Sequence, residues 1–136
     1  MEINEYAERL LLGNRLEDKL FFPSEKLTDK AALPFTTKVS APGRPEALKF
    51  ADHTVPIPKL HELENEKQRG YMLHFFANHE LLAIELMALA LLRFPDAPKA
   101  FRRGIIHTIQ EEQGHVNLYI DRMKECGVAL GDIPLN

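Results

Sequence analysis

The stretch that most limits the possible folds is residues 105–123, because a helix there would carry a carboxylate and an imidazole in its packing face. At about 3.6 residues per turn, Glu112 falls in the apolar stripe and His115 lies beside it. The stripe consists of Ile105, Ile109, Glu112, Val116, Tyr119 and Met123. A carboxylate directed at a core needs a cation, a hydrogen-bonding network or a metal. The stretch therefore predicts a helix with a polar site on its buried side.

A second apolar stripe of helical period lies upstream and contains one acid, Glu80. Its members are Leu73, Phe76, Ala77, Glu80, Ile84, Met87 and Leu91. One helix with Glu-x-x-His and another with a single Glu supply the ligands of carboxylate-bridged metal pairs in four-helix bundles. We therefore predict Glu80, Glu112 and His115 as largely buried, converging metal ligands. The alternative is a buried salt-bridged network in which Arg102 or Arg122 is the cation.

The other polar residues of the two predicted helices lie on different faces. By helical geometry His74, Asn78, His79 and Glu85 point away from Glu80, so they are expected at most to support a ligand and not to bind metal directly. His107 and Glu111 are predicted to form a surface pair one turn apart. Tyr119 is expected to fill the core.

The composition excludes several classes of protein. The 136 residues suit one domain, and the net charge of −3 offers no basic excess for nucleic acid. The longest apolar stretch, residues 81–92, contains Glu85 and is too short to cross a bilayer. The acidic amino terminus differs from a signal peptide, so we expect a cytoplasmic protein without a membrane partner. Cys126 is the single cysteine and is expected to be a half-buried thiol at a helix end.

The order of elements predicts an all-α fold in a single domain spanning residues 1–136. Residues 1–58 are predicted to hold a short helix over 3–12 and a wrapping segment over 21–58, which contains six of the nine prolines. A helical hairpin is predicted over 59–127, and its first helix is predicted to run from about Glu66 to about Arg93. The turn over 94–98 offers Asp96 as an N-cap, and the second helix ends near Gly127. Residues 128–136 are predicted to be a loop-like tail.

Four stretches of the hairpin resemble the ferritin-like superfamily. They are Leu73-His74-Phe75-Phe76-Ala77-Asn78-His79-Glu80-Leu81, Ala83-Ile84-Glu85-Leu86, Arg93-Phe94-Pro95-Asp96-Ala97-Pro98 and Glu111-Glu112-Gln113-Gly114-His115. With Leu16-Glu17-Asp18-Lys19-Leu20 and Pro42-Gly43-Arg44-Pro45, they look most like an uncharacterised bacterial branch related to rubrerythrins and to a di-iron tRNA hydroxylase. The resemblance implies that Glu80 is the ligand of the first helix, Glu112 the bridging carboxylate and His115 the imidazole ligand.

The resemblance covers only the amino-terminal half of that branch. Members continue past the Gly131–Pro134 segment into a second helix pair with a second set of ligands, so one copy of this chain has three of six. An isolated hairpin would also leave an apolar face in water, made of Phe76, Ile84, Met87, Ile109, Val116 and Met123. A two-fold related second copy would cover that face and double the ligands. We therefore expect a homodimeric four-helix bundle, whether the chain is a fragment or a natural half-length protein.

The function that the resemblance implies is that of a carboxylate-bridged di-metal protein, redox-active or oxygen-activating. Two Fe per dimer are expected, with Mn or Zn as alternatives, since carboxylate and imidazole ligands suit all three. No catalytic residue or substrate can be assigned, although dioxygen or a small molecule fits this chemistry. The alternative is a metal-free helical hairpin that acts only as a dimerisation or interaction module. A role in tRNA modification rests on analogy alone.

Overall fold

The computed structural model describes residues 1–30, 34–53 and 55–135, and its regular elements are helical. The four α-helices are α1 (Ile3–Leu12), α2 (Leu16–Leu20), α3 (Glu66–Arg93) and α4 (Lys99–Glu125). Two 3₁₀ turns cover Glu46–Leu48 and Leu60–Glu64. No strand occurs in the described ranges, which contain only two isolated bridges. The prediction of an all-α fold is confirmed. Parts of the predicted wrapping segment (31–33 and 54) and of the tail (136) lie outside the described residues.

Helices α3 and α4 form a long antiparallel pair, as predicted. Asn65 caps α3 by accepting hydrogen bonds from the backbone N–H groups of Lys67 and Gln68. The predicted cap of α4 was wrong, because Pro98 and not Asp96 occupies the N-cap position and no side chain caps the helix. Gly127 follows α4 with a φ of 76°, a left-handed conformation that suits glycine at a helix end. Cys126 is buried rather than half-buried.

Helix α1 covers much of the apolar face of the α3–α4 pair, which was expected to lie in water. Tyr6, Ala7 and Leu10 are fully buried against the α3–α4 pair, in one core with Ile84, Ile109 and Val116. The expectation that Ile84, Ile109, Val116 and Met123 face water was therefore wrong, since all four are buried. Phe76 remains 41% exposed and Met87 partly exposed. Burial of the apolar face of an amphipathic helix such as α1 offsets the conformational entropy that is lost when the helix forms.

The irregular segment packs against the helices, as its predicted wrapping role implies: Phe22, Phe35 and Val39 lie against the core. Irregular backbone also has polar groups that need partners. Long side chains satisfy those groups. Arg93 donates to the carbonyl oxygens of Phe35 and Thr37, and Gln113 donates to those of Lys19 and Phe21. Within the described residues, every solvent-excluded side-chain nitrogen or oxygen has a hydrogen-bond partner.

Gly43 allows the irregular segment to approach the end of α1 closely. Its backbone N–H donates to the carbonyl oxygen of Leu11 at 2.8 Å. A Cβ at this position would lie 2.2 Å from the carbonyl oxygen of Leu12, closer than atoms can pack. The absent side chain therefore fixes the path by which the segment reaches Arg44.

Arg44 enters a buried ionic network centred on Glu85 of α3. The carboxylate of Glu85, 3% exposed, lies 3.0 Å from the ammonium of Lys19 and accepts hydrogen bonds from both Nε and Nη2 of Arg44. Arg44 also donates to Asn78 Oδ1 at 3.0 Å and to the carbonyl oxygen of Leu48 at 3.1 Å. Burial lowers the pKa of Lys19, and the charge of Glu85 opposes that shift. One carboxylate thus joins α2, the irregular segment and α3.

Helix α3 is long and apolar enough to cross a membrane by length and composition alone. That criterion is weak, because core helices also meet it, and 44% of the relevant window is buried inside the molecule. The same helix buries the polar residues His74, Asn78 and Glu85. The expectation of no membrane partner stays a prediction.

Candidate metal centre

The structure brings the three predicted ligands together on the α3–α4 pair. Glu80, Glu112 and His115 each offer one ligand atom, and these atoms lie within 4.8 Å of one another. His115 Nδ1 is 3.3 Å from Glu112 Oε2 and 3.7 Å from Glu80 Oε1. The predicted convergence is therefore confirmed. In the antiparallel pair, Glu80 of α3 faces the Glu112–His115 turn of α4.

The prediction that the ligands are largely buried holds for the two carboxylates and fails for His115. The side chains of Glu80 and Glu112 are 23% and 20% exposed, and that of His115 is 50% exposed. The physical reason is the position of α1, which packs against Ile84 and Val116 and so makes the core on one side of the ligands. The ligands lie at the edge of that core, where the open side of the helix pair begins. Full burial would require another element on this open side.

No lysine or arginine forms a salt bridge with Glu80 or Glu112 among the described residues, and each acid pairs only with His115. The alternative of a network with Arg102 or Arg122 was wrong. Arg102 is buried but donates to Asp29, Asn4 and backbone carbonyls, while Arg122 pairs with Glu125 at the surface. Two adjacent carboxylates without a fixed cation repel each other, so the cluster is electrostatically suited to a positive ion.

An aromatic pair borders the cluster on one side. The rings of Phe76 and Tyr119, one turn from Glu80 and His115 respectively, have centroids 6.0 Å apart. Tyr119 is partly buried rather than a full core residue. The pair bridges the two helices next to the cluster.

The remaining polar residues of α3 do not contact the cluster, as predicted. His79 is exposed and its ring lies 4.4 Å from that of Phe75. Asn78 and Glu85 belong to the Arg44 network, and His74 accepts a hydrogen bond from the backbone N–H of Gly131. On α4, His107 and Glu111 are exposed as expected.

Sequence reasoning missed Gln113, whose amide nitrogen donates to the hydroxyl of Tyr6 and to two carbonyl oxygens. Its position next to Glu112 on the buried side of α4 was the available signal. Burial raises the pKa of Tyr6 to about 12, and the hydrogen bond with Gln113 opposes this effect. Gln113 therefore attaches α1 and the chain after α2 to the helix that carries the cluster.

Acid is expected to destabilise the fold through His74. Burial lowers the pKa of His74 below its ordinary 6.5, against the opposing charge of Asp132. Below pH 6.5, His74 is therefore protonated in the unfolded chain but not in the folded chain. The free energy of unfolding falls by at most about 1.4 kcal/mol for each pH unit. Urea unfolding between pH 5 and 8 measures the slope. His74→Gln should flatten it in this window, and exposed His107→Gln is the control. An unchanged slope in His74→Gln would show that His74 is not responsible.

The comparisons with known proteins give a family. No curated protein and no solved structure matches the chain significantly. One family model, described as "Protein of unknown function (DUF455)", matches residues 5–136. The match includes most of α1, the irregular segment, the Glu85 network and all three residues of the cluster. Because it spans nearly the whole chain, this protein belongs to the DUF455 family.

Proposed function

We propose that this chain is a carboxylate-bridged di-metal protein of the redox or oxygen-activating type. One observation carries the proposal: two carboxylates and an imidazole on facing helices have ligand atoms within 4.8 Å of one another, and no lysine or arginine of the described residues forms a salt bridge with them. Elsewhere the same fold neutralises a carboxylate with two cations, at Glu85. The difference favours a metal ion as the missing positive charge.

The donor set suits Fe, with Mn and Zn as alternatives. Carboxylate oxygens and imidazole nitrogen bind all three metals, and the chain's only cysteine, Cys126, is buried at the end of α4. Glu112 and His115 would bind from α4 and Glu80 from α3. An iron pair, when bound, supplies electron transfer and reaction with dioxygen or peroxide. The chain itself holds the ligands on two packed helices, which the Phe76–Tyr119 pair connects next to the cluster.

We further propose that two copies pair through the open side of α3 and α4. Three ligands do not complete a di-metal site, which takes one Glu from each of two helices and Glu-x-x-His from each of the other two. Phe76, one turn before Glu80, and Phe101, three turns before Glu112, lie on this side and are 41% and 59% exposed. A second copy would bury these rings and supply the other three ligands.

Metal content and mass together test this proposal. Protein purified without chelator should contain about one metal per chain, and light scattering should give twice the chain mass, because each copy supplies half of the ligand set. Elemental analysis should show Fe, Mn or Zn as the bound metal. A monomer that binds two metals per chain would contradict the shared site. A metal-free dimer would support the interaction-module alternative and overturn the di-metal function.

A further inference from the structure

A cavity of about 530 Å³ lies beside α3. Its walls are formed by α3, by residues 55–59 of the irregular segment and by residues 132–135 of the tail. The apolar part of the lining is Val55, Pro56, Ile57, Pro58, Phe75, Ile133, Pro134 and Leu135. The volume is typical of small-molecule sites, and the apolar residues are combined with polar side chains, among them His74 and Asn78.

Two buried polar side chains of α3, those of His74 and Asn78, line this cavity, and each has a nitrogen that can donate a hydrogen bond. Asn78 Oδ1 accepts a hydrogen bond from Arg44, so the amide nitrogen of Asn78 remains available as a donor. His74 uses Nε2 to accept from the backbone of Gly131, so its neutral ring carries the proton on Nδ1. Neither nitrogen has a partner in the ranges that the structure describes, although both residues are more than nine-tenths buried.

The hydrogen bonding of the interior indicates where these two donor nitrogens lie. Every solvent-excluded side-chain nitrogen or oxygen of the described residues is hydrogen-bonded. The amide nitrogen of Asn78 and Nδ1 of His74 therefore reach open space, and the cavity that both residues line provides it. Donors held on one rigid helix in an apolar cavity are suited to an acceptor atom of a ligand.

The charges at the cavity define the class of ligand. Glu62 and Asp132 contribute two carboxylates, while Lys59 is the only cation in the lining. This excess of negative charge opposes an anion. We propose that the cavity binds a neutral, largely apolar molecule whose carbonyl oxygen accepts hydrogen bonds from Asn78 and His74. By helical geometry these residues lie about 120° to 160° around α3 from Glu80, so the cavity is separate from the metal cluster.

Benzamide is a suitable probe, because it combines an apolar ring with a neutral carbonyl group. In wild-type protein labelled with ¹⁵N-histidine, saturating benzamide should shift the ring resonances of His74 and leave those of exposed His107 unchanged. Toluene, which lacks the acceptor, and benzoate, which is charged, should each bind about tenfold more weakly. The absence of a His74 shift, or tighter binding of benzoate, would overturn the proposal.

The variant Asn78→Asp replaces the amide donor by a second acceptor oxygen and adds a negative charge at this position. It keeps the size of the side chain and the acceptor for Arg44, but it removes the N–H that faces the cavity. Benzamide binding should weaken about tenfold, whereas the same change at exposed Asn117 should leave it unaltered. Unchanged binding by folded Asn78→Asp would contradict the assigned contact. If this variant does not fold, the His74 resonances of the wild type still decide the question. Neither result depends on metal.

Discussion

Glu85→Ala is expected to lower the free energy of unfolding by about 3–5 kcal/mol, the usual cost of removing one partner from a buried ion pair. Lys19 and Arg44 are 0% and 2% exposed, so both cations would remain in the interior without their counter-charge. This loss is a large fraction of the stability of an ordinary domain. Urea unfolding followed by circular dichroism measures it.

One further variant separates the charge from the packing of Glu85, and another serves as a surface control. Glu85→Gln keeps the shape and one acceptor oxygen, so its loss of stability should be smaller than that of Glu85→Ala. Glu17→Ala changes an exposed acid of α2 and should shift stability by less than about 0.5 kcal/mol. A loss below about 1 kcal/mol in Glu85→Ala would show that the buried network is not needed for the fold.

Glu112→Ala and His115→Ala are each expected to weaken metal binding by more than about 100-fold. Loss of a group that merely orients a ligand already costs 10- to 100-fold, and these residues would bind the metal directly. Elemental analysis after dialysis against buffer without metal gives the content per chain. Circular dichroism should show folded protein in both variants, since neither residue is in the core.

The matched controls are the neighbouring residues of the same types. Glu111→Ala and His107→Ala remove an acid and an imidazole from exposed positions of α4, and metal content should remain that of the wild type. Equal loss in all four variants would point to nonspecific binding along α4. Full retention in all four would place the metal elsewhere and remove the basis of the proposed function.

The helical pair and its cluster were predictable because their residues repeat with the helical period. Glu80, Glu112 and His115 interrupt two otherwise apolar stripes, and the short turn at Pro95 and Pro98 brings those stripes face to face. Helical geometry alone therefore indicates their convergence. The degree of burial was not predictable, because it depends on which side of the pair the amino-terminal elements cover.

The role of the irregular segment could not be predicted from periodicity. Lys19 and Arg44 are ordinary charged residues in the sequence, and 41 positions separate Arg44 from its partner Glu85. No local pattern indicates such a contact. Glu85 itself gave a partial signal, since an acid within the apolar run over residues 81–92 needs a partner. The partner came from the segment that has no regular structure.

The meeting of three chain segments at Glu85 has a consequence for local opening motions. The stretch around Arg44 cannot detach alone without leaving the carboxylate short of one of its two cations in a buried environment. Its release is therefore coupled to exposure of α2 and the middle of α3, and the three form one cooperative unit. We therefore expect the amides around Arg44 to exchange as slowly as those of the middle of α3, although this segment has no regular secondary structure.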